Sequence, residues 1–183
     1  MKLCFLAGAN SIHSVRWVRY FVERGHNVTW ISLAPPIPEA ANLVRAVAFH
    51  EITPSPLADI NGRFALCYLP PAVRQLKKIL QTNPPDFLHV HSAGTYGLVG
   101  ALAGFHPLVL TPWGSDILLS SPMKQFLVRF TVRRADRFTC DGENTRAKLI
   151  ELGAHADAIS LIMFGTDVEK FQPASGKAQR ANE

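Results

Sequence analysis

Short apolar runs alternate along this chain with stretches in which apolar residues recur every three or four positions. Lys2 to Gly8 is an apolar run closed by glycine, the pattern of a strand buried on both faces in a parallel sheet. Val15, Val18 and Val22, with Trp17 and Phe21, then fall on one side of a helix, and Arg16, Arg19, Glu23 and Arg24 take the other. Gly25 supplies a left-handed stop, and Val28 to Leu33 reads as a second strand. From Ala34 to Pro71 prolines at 35, 36, 38, 54 and 56 break the pattern, leaving a strand near Val47 to Ile52 and a mobile loop around Asp59 to Arg63. The alternation then resumes with a helix Ala72 to Gln81, a strand Phe87 to His91, a helix Tyr96 to Gly104 and a strand Leu108 to Thr111. It continues with a helix Pro122 to Arg134, a strand Arg137 to Cys140, a helix Asn144 to Leu152 and a strand Ile159 to Phe164. Strands alternating with helices predict an α/β fold, a Rossmann-like doubly wound parallel sheet over residues 1–172, with the polar stretch 173–183 as linker or tail.

Composition narrows the class. A chain of 183 residues, 48% hydrophobic and 18% charged, buries a core of its own without needing a metal or disulfide to fold. Cys4, Cys67 and Cys140 are odd in number and far apart, which argues against a disulfide framework and for a reducing, cytoplasmic setting. The opening MKLCFLAGA imitates a signal peptide only superficially, because its apolar part is short and runs straight into a periodic helix. No run is long enough to span a bilayer; the best, Gly97 to Leu110, is interrupted by His106 and Pro107. The net charge of +5 and pI near 9.4 admit an anionic partner without choosing one.

In open parallel sheets ligands bind beyond the carboxyl ends of the strands. Three such loops carry chemistry: Ala9 to Ser14 with Ser11 and His13; Ser92 to Tyr96 with Gly94 and Thr95; and Pro112 to Asp116 with Trp113, Gly114 and Ser115. The first has neither the dinucleotide glycine pattern nor a P-loop. His89 and His91, two apart on a strand, point to one face and form a candidate metal pair. A zinc site needs a third ligand, His13 or Asp116, and no Cys/His/Glu spacing supports one. An amidohydrolase barrel, which also opens with HxH, needs roughly 250 residues. His89 reads as a satisfied core histidine, whereas His91, at the strand tip before a glycine-containing loop, reads as a ligand contact. Trp113, between Pro112 and Gly114, reads as a pocket wall on which a pyranose face stacks. For Asp116 two roles stand level: capping the segment after Gly114, or accepting from sugar hydroxyls. Glu143 and Glu151 show an E-x7-E spacing, but residues eight apart on a helix diverge, and a solvated face is the plain reading.

Taken in order, SIHSVRWVRYFVERGHNV, PDFLHVHSAGTYGLVGALA, TPWGSDIL, ADRFTCDGENTRAKLIELGA and ISLIMFGTDVEKFQP resemble the N-terminal domain of family-4 retaining glycosyltransferases of GT-B architecture. The resemblance implies two Rossmann-like domains across a cleft, the first binding acceptor and the second the nucleotide-sugar, which is a co-substrate; no cofactor or metal is implied. It places Ser11 and His13 where acceptor and donor phosphate approach, His91 as the catalytic-site residue beside the reacting sugar, with Ser92, Gly94 and Thr95 after it, and Gly114 to Asp116 on the cleft wall. Gly165 and Asp167 match a G-x-D crossing into the hinge. The chain departs from the family in carrying Ala9-Asn10 for Gly-Gly and Trp113 for a frequent histidine. The expectation is therefore an acceptor half, without its C-terminal donor domain and inactive alone. Basic aliphatic stretches, Val73, Leu76, Ile79 and Leu80 among Arg74, Lys77 and Lys78, and Phe126, Val128 and Phe130 among Lys124, Arg129, Arg133 and Arg134, suit an anionic membrane surface and a lipid-linked acceptor. The rival reading is a non-catalytic sugar- or partner-binding module; nucleic acid is disfavoured because no basic surface is interleaved with aromatics.

Overall fold

A computed structural model of the chain describes residues 1–52, 69–118, 121–163 and 165. In order they form β1 (Lys2–Leu6), α1 (Ile12–Glu23), β2 (Asn27–Ser32), α2 (Ala41–Ala46), β3 (Ala48–Glu51), α3 (Leu69–Thr82), β4 (Phe87–His91), α4 (Thr95–Ala103), β5 (Leu108–Thr111), α5 (Ser115–Leu118), α6 (Pro122–Val132), β6 (Arg137–Cys140), α7 (Glu143–Leu152) and β7 (Ile159–Leu161). Single-turn 3₁₀ segments precede α2 and β7. The seven strands make one sheet in the order β3-β2-β1-β4-β5-β6-β7, and every pairing is parallel. The expected Rossmann-like sheet is therefore the observed one. The mobile loop expected at 59–63 lies outside the described residues, as do Cys67 and Asp167. The last strand ends at Leu161, short of the expected Phe164, and the short helix α2 occupies part of the proline-rich stretch that gave no clear pattern.

The period of two along each strand divides the core. Cys4 and Leu6 of β1, Leu88 and Val90 of β4 and Leu108 and Leu110 of β5 face one layer, packed with Leu76 and Leu80 of α3, Val99 of α4, Val128 and Val132 of α6 and Leu149 of α7. Leu3 and Phe5 face the other way, with Val15 and Val18 of α1 and the fully buried Trp30 of β2. Each large apolar side chain so buried contributes on the order of 2 kcal/mol of transfer free energy. On this second face β4, β5 and β6 present His89, His91, Thr111 and Thr139, because those positions alternate with the buried aliphatic ones. The polar stripe runs from beneath α1, at His89 and His91, across β5 to β6.

The helices differ in how they use their faces. The α3 residues Ala72, Leu76 and Leu80 are buried in the core, so the apolar side of that helix is used inside the domain and only its basic side, Arg74, Lys77 and Lys78, faces outward. That corrects the expectation of α3 as an apolar membrane face. On α4, a Cβ at Gly97 would lie 2.6 Å from Thr131 Cγ2 and 2.9 Å from the Ser92 carbonyl oxygen, so only glycine lets this helix approach both α6 and the turn after β4. Gly25, at φ +75°, provides the left-handed stop after α1. Among the described residues no helix is long and apolar enough to cross a membrane.

Candidate functional site

Sheet order reverses between β1 and β4, so the loops after these two strands diverge to opposite sides and leave a crevice at the carboxyl edge. The first loop delivers α1 with Ser11 at its N-cap (φ −114°, ψ 122°), yet the Ser11 side chain makes no capping bond and no acidic residue sits in the first turn. His13 is exposed in that turn, and its ring lies 5.2 Å from the ring of Trp113.

Asp116 ties the other two loops together. Its Oδ2 accepts from Ala93 N at 2.6 Å, after β4, and its Oδ1 accepts from Trp113 N at 3.0 Å, after β5. Ser92 N donates to Thr111 O at 2.8 Å, and Gly94 N donates to Ser92 Oγ at 3.2 Å, which folds the turn back on itself. Ser92 itself stands at φ +74°, a left-handed conformation rare for a residue with a side chain and unannounced by the sequence. Of the two roles open to Asp116, both oxygens thus serve loop geometry. Burial raises its pKa, opposed by the bonds from Ala93, Ser92 and Trp113.

The histidine pair lies beneath this bracket. His89 and His91, 3% and 1% exposed, have ring centroids 4.8 Å apart on the face turned toward α1. His89 Nε2 pairs with Thr111 Oγ1 at 2.7 Å, which in turn pairs with Thr139 Oγ1 at 2.5 Å, so a line of polar groups crosses three strands. His89 is the satisfied core residue its position suggested. His91 Nδ1 pairs with Ser14 Oγ of α1 at 3.2 Å, while its Nε2 has no hydrogen-bond partner, a condition shared by Thr95 Oγ1 at the start of α4. Aromatic rings enclose it: Phe5 and Trp17 at 5.7 Å and Trp113 at 5.1 Å, the last edge to face at 86°. Burial drives the His89 pKa down to about 3 and that of His91 well below the ordinary imidazole value, with the nearby His89 and His13 adding to the second shift. Both rings are neutral at physiological pH.

His13, His91, Trp113 and Asp116 therefore meet at one edge of the sheet, with Ser92, Gly94, Thr95, Gly114 and Ser115 in the same two loops and Ser11 at the head of α1. His91 sits under Trp113 and not on an open wall. Two cavities flank the His13–Trp113 pair. One, about 520 Å³, is lined by His13, Arg16, Trp17, Tyr20, Phe21, Ile162, Met163 and Gly165; Arg16 Nη2 donates to Gly165 O at 2.6 Å and pins that carbonyl to α1. The other, about 570 Å³, runs from Trp113, Gly114 and Ser115 to Asp141, Glu143, Asn144 and Thr145. Sequence reasoning missed Ser14, Thr111 and the 141–145 turn, whose polar residues carry no pattern until the β5 and β6 tips stand side by side. Among the described residues no group of three His, Cys, Asp or Glu side chains converges as a metal site would require.

No curated protein matches the sequence. Among solved structures, the chain superposes on HepE from Anabaena in complex with UDP-glucose (TM-score 0.64, 19% identity, 92% of this chain and 45% of that one). It also superposes on the lipopolysaccharide outer core galactosyltransferase WaaB in its apo form (0.65, 13%, 92% and 47%) and on UDP-GlcNAc 2-epimerase from Neisseria meningitidis bound to UDP-GlcNAc (0.60, 14%, 88% and 46%). The chain spans less than half the length of each, and the likeness is one of fold, a Rossmann-like half of the GT-B type. The family model described as glycosyl transferase 4-like matches residues 2–142, which takes in β1 through β6 and the segments that carry Ser11, His13, His91 to Thr95 and Trp113 to Asp116, and the chain belongs to that family.

Proposed function

We propose that this chain is the acceptor-binding half of a retaining glycosyltransferase that moves a sugar from a nucleotide-sugar to a glycan or lipid-linked acceptor. The observation that carries the reading is the meeting of His13, His91 and Trp113 at the sheet's switch point on loops braced by Asp116. The half-buried indole of Trp113 suits stacking by a pyranose face, and the carboxylates, amide and hydroxyls of Asp141 to Thr145 and Ser115 suit its hydroxyls. The structural neighbours solved with UDP, UDP-glucose or UDP-GlcNAc support a nucleotide-sugar as the donor class. In this reading the chain orients the acceptor hydroxyl and shields it from water, while cations of a second Rossmann-like domain stabilise the leaving diphosphate through an oxocarbenium-like transition state; a cofactor or resident metal is not required. Residues 1–172 form the acceptor domain, with Gly165 and Asp167 entering the hinge and the remainder serving as linker.

The test is a pair of calorimetric titrations on the 183-residue chain. Oligosaccharide acceptors bind, UDP-glucose and UDP-GlcNAc do not, and sugar transfer stays below the ordinary range of about 1 to 10³ s⁻¹. Tight nucleotide-sugar binding, or turnover by this chain alone, overturns the assignment; binding of neither ligand favours a non-catalytic partner module.

Membrane contact, where the acceptor is lipid-linked, falls to α6. Phe126 is 73% exposed there, beside the exposed Arg129 and Arg133, whereas Val128 and Val132 are buried. Vesicles rich in phosphatidylglycerol are expected to sediment the protein and phosphatidylcholine vesicles to leave it in the supernatant, with Phe126→Ser weakening capture several-fold. Equal partition to both lipids removes the idea.

A further inference from the structure

We infer that Ser14 fixes the tautomer of His91, so that the buried imidazole offers an Nε2–H donor, and not a lone pair, to the ligand of this site. Only the identity of that ligand as a sugar rests on the function proposed above.

Proton counting gives the direction of the bond. Ser14 and His91 are each 1% exposed, so neither exchanges its partner for bulk water. Ser14 Oγ has His91 Nδ1 as its hydrogen-bond partner, at 3.2 Å. If the imidazole carried its proton on Nδ1 and donated to Ser14 Oγ, the serine hydroxyl proton would be left without an acceptor and Nε2 would be a bare buried lone pair. Two polar groups would then be orphaned. If the serine hydroxyl donates to Nδ1, its one proton is used, and the single orphan is Nε2–H, the atom that the structure leaves without a partner.

The consequence is chemical. A neutral imidazole with its proton on Nε2 takes no proton from an acceptor hydroxyl, so His91 is not a general base. Nε2 is buried beneath Trp113 and lines neither cavity, so an oxygen of a hydroxyl, a sugar ring or a phosphate reaches it only when Trp113 moves aside, and there it meets a donor. Ser14 touches no ligand in this arrangement and is a positioning residue.

Long-range proton–nitrogen NMR spectra of the full ¹⁵N-labelled chain read the tautomer directly. Wild-type His91 is expected to show a protonated Nε2 and a bare Nδ1. Ser14→Ala is expected to raise the Nδ1–H to Nε2–H ratio about fivefold, the loss of one ordinary hydrogen bond, and Ser14→Thr, which keeps the hydroxyl, to return it toward wild type. A wild-type His91 protonated on Nδ1, or an unchanged ratio in Ser14→Ala, overturns the inference. The wild-type spectrum decides the tautomer even if a variant fails to fold. Because no sugar is added, a failed acceptor titration sinks the proposed function and leaves this result standing.

Discussion

Lowering the pH from 6.5 to 4.5 is expected to remove on the order of 5 kcal/mol of folding stability, well before most carboxylates titrate. His89 and His91 are buried neutral, with folded-state pKa values of about 3 and well below 6.5 respectively. In the unfolded chain both titrate near 6.5, so below that pH the unfolded state binds two protons that the folded state refuses. The stabilising effect is complete above pH 6.5 and is lost as the pH falls toward the folded values, at roughly 1.4 kcal/mol per histidine per pH unit. Against a total stability of about 5–15 kcal/mol, that loss brings the protein near its unfolding midpoint. Asp136 adds a smaller effect of the same sign lower down, since bonds from Leu108 N and His106 hold its pKa below the usual value in spite of a desolvation cost. The raised pKa of Asp116 works the other way, favouring the folded state as the pH falls through that range. Urea midpoints measured across pH 4.5 to 7 give the slope, and His89→Asn is expected to halve it. A flat profile between 6.5 and 5 would show that the histidine pair is hydrated or charged in the folded protein.

Asp116→Ala is expected to cost about 2–3 kcal/mol and lower the melting temperature by about 5–10 °C for a chain of this size. The carboxylate's own burial penalty disappears with it, which limits the loss. The backbone N–H groups of Ala93 and Trp113 remain, part-buried and without their acceptor, and the turn at Ser92 loses the bracket that holds its left-handed backbone in place. Asp116→Asn, with one carbonyl oxygen left, should lose about half as much. The same variants should abolish acceptor binding, because the Trp113 loop is then free to leave His13 and His91. Differential scanning calorimetry paired with the acceptor titration checks both effects, and a melting temperature within about 1 °C of wild type would mean that the bracket is incidental.

Much of the fold and part of the site are legible in the residue pattern. The strands Phe87–His91, Leu108–Thr111 and Arg137–Cys140 have the boundaries their composition suggests, because short aliphatic runs bounded by Pro, Gly or Asp leave little choice of register. The same reasoning locates His91 at a strand tip and His13 and Asp116 in the segments that follow β1 and β5, and a parallel sheet turns that statement about sequence into one about space. It does not separate the two roles open to Asp116, since capping and ligand binding ask for the same carboxylate. Nor does it decide α3, whose amphipathic stripe suits a membrane and a core equally; Leu76 and Leu80 are in the core. The α2 region gives too little because the prolines at 35, 36 and 38 lead into a helix of only six residues.

What the order of residues determined by itself is the alternation of buried strands with amphipathic helices, and with it a parallel sheet whose chemistry collects at one edge; hydrophobic periodicity is a local property and survives without knowledge of neighbours. Only the tertiary structure decided that Ser14 meets His91, that Thr111 and Thr139 complete the bond line from His89, and that Trp113 covers the pair. Those contacts join residues 22 to 77 positions apart, and no spacing rule links them, because their distances are set by which strands lie side by side and by how closely α1 sits on the sheet.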